Sequence, residues 1–114
     1  GASYASCCGP YIAGDALPPT AETLMRSRYT AFTLRDEAYL LATWHASTRP
    51  PSLDEAELKA TRWIGLAVQR AQGDTVRFVA RHKVQGRAHR LQETSRFVFE
   101  DGRWFYLDGV VDDV

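Results

Sequence analysis

The chain has 114 residues, 14 Lys and Arg against 14 Asp and Glu, three His, and 45% hydrophobic side chains. That length holds one core, and charged residues at 25% with aromatics at 11% exclude disordered, collagen-like and mucin-like classes. No apolar run approaches the roughly 18 residues of a membrane span and no basic-then-apolar leader opens the chain, so the expectation is a cytoplasmic protein that meets no membrane.

Residues 1–19 are rich in Gly, Ser and Pro and read as an irregular arm ending at Pro18-Pro19, with residues 20–114 as the folded domain. The arm carries both cysteines, Cys7 and Cys8. Adjacent residues seldom meet disulfide geometry. Two thiols are half of a tetrahedral zinc site, and His45, His82 and His89 stand too far along the chain to complete it locally. Free thiols are therefore expected here.

From Thr20 the pattern turns helical, with Thr20 as N-cap and Glu22 in the first turn. Ala21, Leu24, Met25, Arg28 and Phe32 share one face. A second helix is expected from Asp36, with Tyr39, Leu40, Thr43 and Trp44 on one side, ending before Pro50-Pro51. Ser52-Leu53-Asp54-Glu55 reads as a capping box opening a short third helix to about Thr61.

From Trp63 the period becomes that of strands. Ile64, Leu66 and Val68 alternate, as do Val76 to Val84 and Leu91 to Phe99, and a fourth run spans Arg103 to Val110. Turns are expected at Gln72-Gly73-Asp74, Gly86-Arg87 and Asp101-Gly102. The class is α+β, helices followed by a four-stranded antiparallel meander. Two-residue turns would pair Phe99 with Trp104, Phe97 with Tyr106 and Ser95 with Asp108. They would also pair Val84 with His89, His82 with Leu91 and Ala80 with Glu93. The first hairpin keeps this parity with a three-residue loop. One sheet face then gathers Phe78, Leu91, Phe97, Phe99, Trp104 and Tyr106 as core, together with His82, Glu93, Ser95 and Asp108.

The informative feature is polar groups pointing inward. Arg28 lies in the apolar stripe of the first helix, where a guanidinium is costly unless a carboxylate meets it. With Glu93 and Asp108 as carboxylates, Arg28, His82, Glu93, Ser95, Tyr106 and Asp108 form a candidate polar floor in an apolar pocket. Such a floor suits acid–base chemistry or a small polar ligand. The simpler alternative is a structural network tying helix to sheet. His82, alone on a strand, reads more readily as a satisfied core histidine than as a base. His45 reads as a helix-end cation and His89 as solvated, Ser95 has no His placed to activate it, and Tyr29, Trp44 and Trp63 read as core. There is no Gly-rich phosphate loop.

Charge is unevenly spread. Residues 1–61 hold five bases and seven acids, 62–103 nine bases and four acids, and 104–114 three acids. The opposite sheet face is expected to carry Arg77, Arg81, Lys83, Arg90 and Arg96 among Val79, Val98, Phe105 and Leu107. It reads as a solvated face, a homodimer face, or a dock for nucleic acid or an acidic protein. Nucleic acid is disfavoured for want of an aromatic stacking platform.

Several segments resemble the YchJ-like family of bacterial proteins. These are Cys7-Cys8-Gly9-Pro10-Tyr11-Ile12, Leu24-Met25-Arg26-Ser27-Arg28-Tyr29, and Thr43-Trp44-His45 through Ser47-Thr48-Arg49-Pro50. Glu93-Thr94-Ser95-Arg96-Phe97 and Arg103-Trp104-Phe105-Tyr106-Leu107-Asp108-Gly109 complete the match. The resemblance implies a nuclear transport factor two-like, or cystatin-like, cone of N-terminal helices over a curved sheet. That superfamily is similar in fold across isomerases, dehydratases and non-catalytic binding domains, so the fold does not choose among them. The family usually opens with a SEC-C type zinc motif. Cys7 and Cys8 match its second half, which implies that the first half precedes Gly1 in a longer parent and that zinc belongs to that parent, with no cofactor in this chain. The expected function is a non-catalytic module binding a small-molecule ligand or a protein partner, as monomer or homodimer. The alternative is a small-molecule lyase or isomerase with acid–base residues inside the cone.

Overall fold

The computed structural model describes residues 9–14 and 16–111. Among them the elements run α1 (Gly9–Ala13), α2 (Ala21–Leu34), α3 (Glu37–Ala42) and α4 (Glu55–Ala60), then β1 (Thr61–Gln72), β2 (Thr75–Val84), β3 (Arg87–Glu100) and β4 (Arg103–Val111). The strands form one antiparallel sheet in sequence order, the α+β meander that the periodicity predicts. Within the stretch read as irregular, α1 is helical, and its Ile12 packs against the Ala31, Leu40 and Leu58 cluster.

Thr20 caps α2 as expected, its hydroxyl accepting from the Thr23 amide at 3.1 Å. Arg35 ends the helix in the left-handed conformation, with its N–H turned to the Ala31 and Phe32 carbonyls. Between the caps Ala21, Leu24, Met25, Arg28 and Ala31 form the buried stripe. Its first part packs with Val76, Phe78, Ala80 and Phe97 of the sheet, and Ala31 packs with Leu40 and Leu58. The next helix, α3, is shorter than its pattern suggests, because Thr43 and Trp44 leave it. The Thr43 hydroxyl bonds back to the Tyr39 carbonyl at 2.8 Å. The chain then bridges β4, with the Tyr106 N–H donating to Thr43 O and the His45 N–H donating to Tyr106 O, each at 2.8 Å. The last helix begins at Glu55 rather than Ser52, and the Asp54 carbonyl accepts its first bond from Leu58 at 2.9 Å.

Register departs from the expected one in three places. The β2–β3 turn is Gln85-Gly86, not Gly86-Arg87. Gln85 (φ 52°) and Gly86 (φ 79°) supply the two positive angles of a type I′ turn, a geometry that suits strand twist. Val84 therefore faces Arg87, His82 faces His89, Ala80 faces Leu91 and Phe78 faces Glu93. A two-residue slide preserves every inward and outward assignment while changing the partners. The first hairpin closes on Gln72–Thr75, and irregularities between Val68 and Arg70 and between Trp63 and Gly65 follow in β1. The second of these turns Trp63 inward and leaves Ile64 48% exposed.

The third departure matters most for the site. A bulge after Arg96 leaves Leu107 unpaired, so Asp108 meets Arg96 on the outer face and Gly109 takes its place opposite Ser95. The Leu107 carbonyl accepts from the Thr48 hydroxyl at 2.6 Å, so the loop after α3 holds the bulge. Phe99, expected in the core, is 59% exposed and stacks edge-on against its pair Trp104 at 5.3 Å.

The Asp101-Gly102 turn repeats the type I′ angles, with φ 53° and 78°. Gly102→Ala should lower stability by about 1–2 kcal/mol, the cost of a Cβ in the left-handed region. Urea denaturation should show a reduced midpoint with an unchanged slope.

Candidate functional site

Arg28 is 6% exposed in the middle of α2, and its charge is met by dipoles and rings. Its Nη1 donates to the Leu40 carbonyl and to the Thr43 hydroxyl, both at 2.7 Å. Its guanidinium lies 4.6 Å from the Tyr106 ring centroid and 5.3 Å from that of Trp44. Those two rings meet edge to face at 5.1 Å. Burial lowers the Arg28 pKa to about 10, partly offset by Tyr106, Tyr39 and Glu93, so the group stays charged at neutral pH.

Beside this clamp the cone holds a partly open cavity of about 160 Å³. Met25, Phe32, Trp63, Phe78, Ala80, Leu91 and Phe97 supply apolar lining, and Arg28, Glu93, Ser95 and Tyr106 supply the polar groups. Ser95, 2% exposed, donates to the Glu93 carboxylate at 2.5 Å. Glu93 lies over Gly109, where an added Cβ would collide with that carboxylate. Burial, reinforced by the Glu93 charge and opposed by Arg28, pushes the Tyr106 phenol up to about 12. Tyr106 is therefore a hydrogen-bond donor at any physiological pH. Tyr29 and Phe32 stack on Trp63 at 6.0 and 5.7 Å and form an aromatic wall.

Of the six residues predicted for the pocket, Arg28, Glu93, Ser95 and Tyr106 meet in it. Asp108 does not. It binds Arg96 on the outer face at 2.5 and 2.7 Å, and that guanidinium holds its carboxyl below the usual range. His82 does not line the cavity either. It stacks on Trp63 at 4.9 Å and on His89 at 5.3 Å, and its Nδ1 is buried with no hydrogen-bond partner. His45 is not a helix cap: its Nε2 reaches Glu100 at 2.8 Å and its Nδ1 reaches Ser47 at 2.6 Å. Cys7 and Cys8 lie outside the described residues. Among the described residues no three His, Cys, Asp or Glu side chains group as metal ligands, and no helix is long and apolar enough to cross a membrane.

Sequence reasoning missed the partners that Arg28 has. A backbone carbonyl at a helix end leaves no mark in residue identity, so Leu40 O was not readable. Gly109 was readable in principle, because a glycine inside a strand marks a close approach of another group.

A helical layer over a curved meander, with polar groups at the bottom of an apolar cavity, is a cone of the nuclear transport factor two type. The chain belongs to the YchJ family: the description "YchJ, middle NTF2-like domain" matches residues 20–109. A UPF0225 protein of Ralstonia nicotianae is 58% identical, covering 94% of this chain and 85% of its own. One of Chromobacterium violaceum is 52% identical, covering 97% and 89%. The solution structure of a SEC-C motif containing protein from Rhodopseudomonas palustris superposes with a TM-score of 0.86 at 31% identity, covering 99% of this chain and 94% of that one. A crystal structure of a SEC-C motif containing protein from Psychrobacter arcticus gives 0.74 at 30% identity, covering 99% and 75%.

Two outcomes follow. Arg28→Met should cost about 1.5–3 kcal/mol in denaturant unfolding, the range for hydrogen bonds to a charged group. Arg28→Lys should recover little, since an ammonium lacks the planar face that stacks on Tyr106. The second outcome concerns pH. Burial, and then His89, lowers the His82 pKa below 6.5, so the neutral ring is favoured in the fold. This contribution is present above pH about 6.5 and is lost as pH falls through the lower folded value. The unfolding midpoint should therefore drop on acidification, and His82→Gln should remove that component.

Proposed function

We propose that the domain is a binding module whose cone receives a small, mainly apolar molecule with a hydrogen-bonding group at one end. The observation that carries this reading is the 160 Å³ cavity, apolar but for one group of polar side chains. A cavity of about 150 Å³ accommodates benzene, so the enclosed part of the ligand is about one ring in size. The ligand's polar group would accept from the Tyr106 hydroxyl and donate to Glu93. Arg28 braces the floor, with Nη1 already committed to Leu40 and Thr43.

A second reading, an isomerase or lyase, is favoured by one observation: a carboxylate and a phenol held protonated line the same cavity. Glu93 would be the base and Tyr106 the donor. The two readings part at Glu93→Gln, which should retain ligand in both but abolish turnover only in the second. In a longer parent, Cys7 and Cys8 would supply two thiolates to a SEC-C zinc site, a reading supported by the two solved neighbours described by that motif.

Native mass spectrometry of the freshly purified chain tests the binding reading. A retained small molecule is expected, and it should be lost in Ala80→Leu, which fills the cavity from the sheet side. A chain that is bare on isolation and stays bare across a library of one-ring fragments would contradict it.

A further inference from the structure

The outer face of the sheet is divided by charge. On its β3–β4 side cations are neutralised or covered: Arg96 is forked onto Asp108, and Arg103 lies over the Phe105 ring at 5.1 Å. Helix and loop arginines also have partners, Arg26 on Glu22, Arg35 on the Lys59 carbonyl and Arg49 on the Trp44 carbonyl. At the opposite corner the pattern reverses. Arg62, Arg81, Lys83 and Arg90 are exposed and make no side-chain hydrogen bond or ion pair among the described residues.

The register sets these cations against one another. Arg62 faces Lys83, and Arg81 faces Arg90, so two like-charged pairs stand directly opposite on adjacent strands. Such pairs destabilise a sheet. Gly65, opposite Arg81 on the other side, has nothing within 4 Å of where its Cβ would be, so the Arg81 side chain is not screened from solvent there. Partners across strands stand about 5 Å apart, and alternate residues along a strand about 7 Å, so the four charges fill a compact patch.

We propose that this corner binds the sugar–phosphate backbone of a nucleic-acid duplex. A row of anions fits the patch by charge, and arginine is suited to phosphate by its planar fork. An acidic protein fits less well. Docked proteins depend on clusters of apolar anchors filling pockets, whereas here Val79 on β2 is only 5% exposed and Ile64 on β1, 48% exposed, is a single side chain beside the patch. The lack of an exposed aromatic in the patch excludes base stacking, the device that single-strand binders use. The readout is therefore backbone alone, independent of sequence.

Fluorescence anisotropy tests this with a labelled 20-base-pair DNA duplex, the RNA duplex of the same sequence, and one single strand. Binding to a duplex is expected at 50 mM salt and should weaken about 100-fold by 200 mM, for three to four phosphates neutralised. Arg81→Ala and Arg90→Ala should each reduce the salt slope by about one, with Tm unchanged or raised because a like-charge pair is gone. Arg96→Ala, on the neutralised side, should leave binding as it was. Three results would overturn the proposal: no duplex binding at 50 mM salt, binding that survives both substitutions, or tighter binding of polyglutamate than of either duplex. The last would make the corner a protein dock.

Discussion

A single buried guanidinium organises the molecule. Arg28 projects from the apolar stripe of α2 into the angle between α3 and the sheet. Water there is replaced by a helix-end carbonyl, a hydroxyl and two aromatic faces. Taking an ion out of water costs several kcal/mol, so such a group persists only where its surroundings are fixed in advance. The surroundings are fixed by the backbone. Thr43, Trp44 and His45 leave the helix and join Tyr106 through two 2.8 Å bonds, which place the hydroxyl and both rings around the charge.

The same bridge shapes the cavity. With Trp44 and Tyr106 held by Arg28, the inner end of the cone is propped off the sheet, and Glu93 and Ser95, bonded to each other, line the space that is left. Closing it would need a larger side chain than Gly109, which passes beneath the Glu93 carboxylate. On the proposed reading structural and chemical duties are separate: Arg28, bonded to Leu40 and Thr43, would support the floor, while Tyr106 and Glu93 would meet the ligand. The outer face keeps its charges apart from this interior, so binding in the cone and binding at the basic corner would use different sides of one sheet.

Much of this was legible in the sequence because periodicity reports burial. The Thr20 cap, the α2 stripe with Arg28 inside it, the strand order and the inward face carrying Glu93, Ser95 and Tyr106 all follow from spacing. What failed depended on single-residue offsets. Gly86 marks a turn, but only the need for two positive φ angles decides that Gln85 precedes it, and the wrong choice gives Ala80 and His82 the wrong partners. The bulge at Leu107 is stabilised by Thr48, a residue 59 positions away. No local pattern predicts it, and it moves Asp108 to the opposite face. Phe99 looked like core because alternation cannot show where a sheet outruns the helices that cover it.

Met25 gives direct access to the central claim. It is the sequence's single methionine, is 5% exposed and lines the cavity. With a ¹³C-labelled Met25 methyl group, one NMR signal reports on the interior while one-ring fragments bearing a hydroxyl or amide are titrated. Saturable movement of that signal, reduced in Tyr106→Phe with the fold retained, is the expected result. A signal that no fragment moves would mean that the cone is closed to ligands and that its polar floor serves only to hold the helices on the sheet.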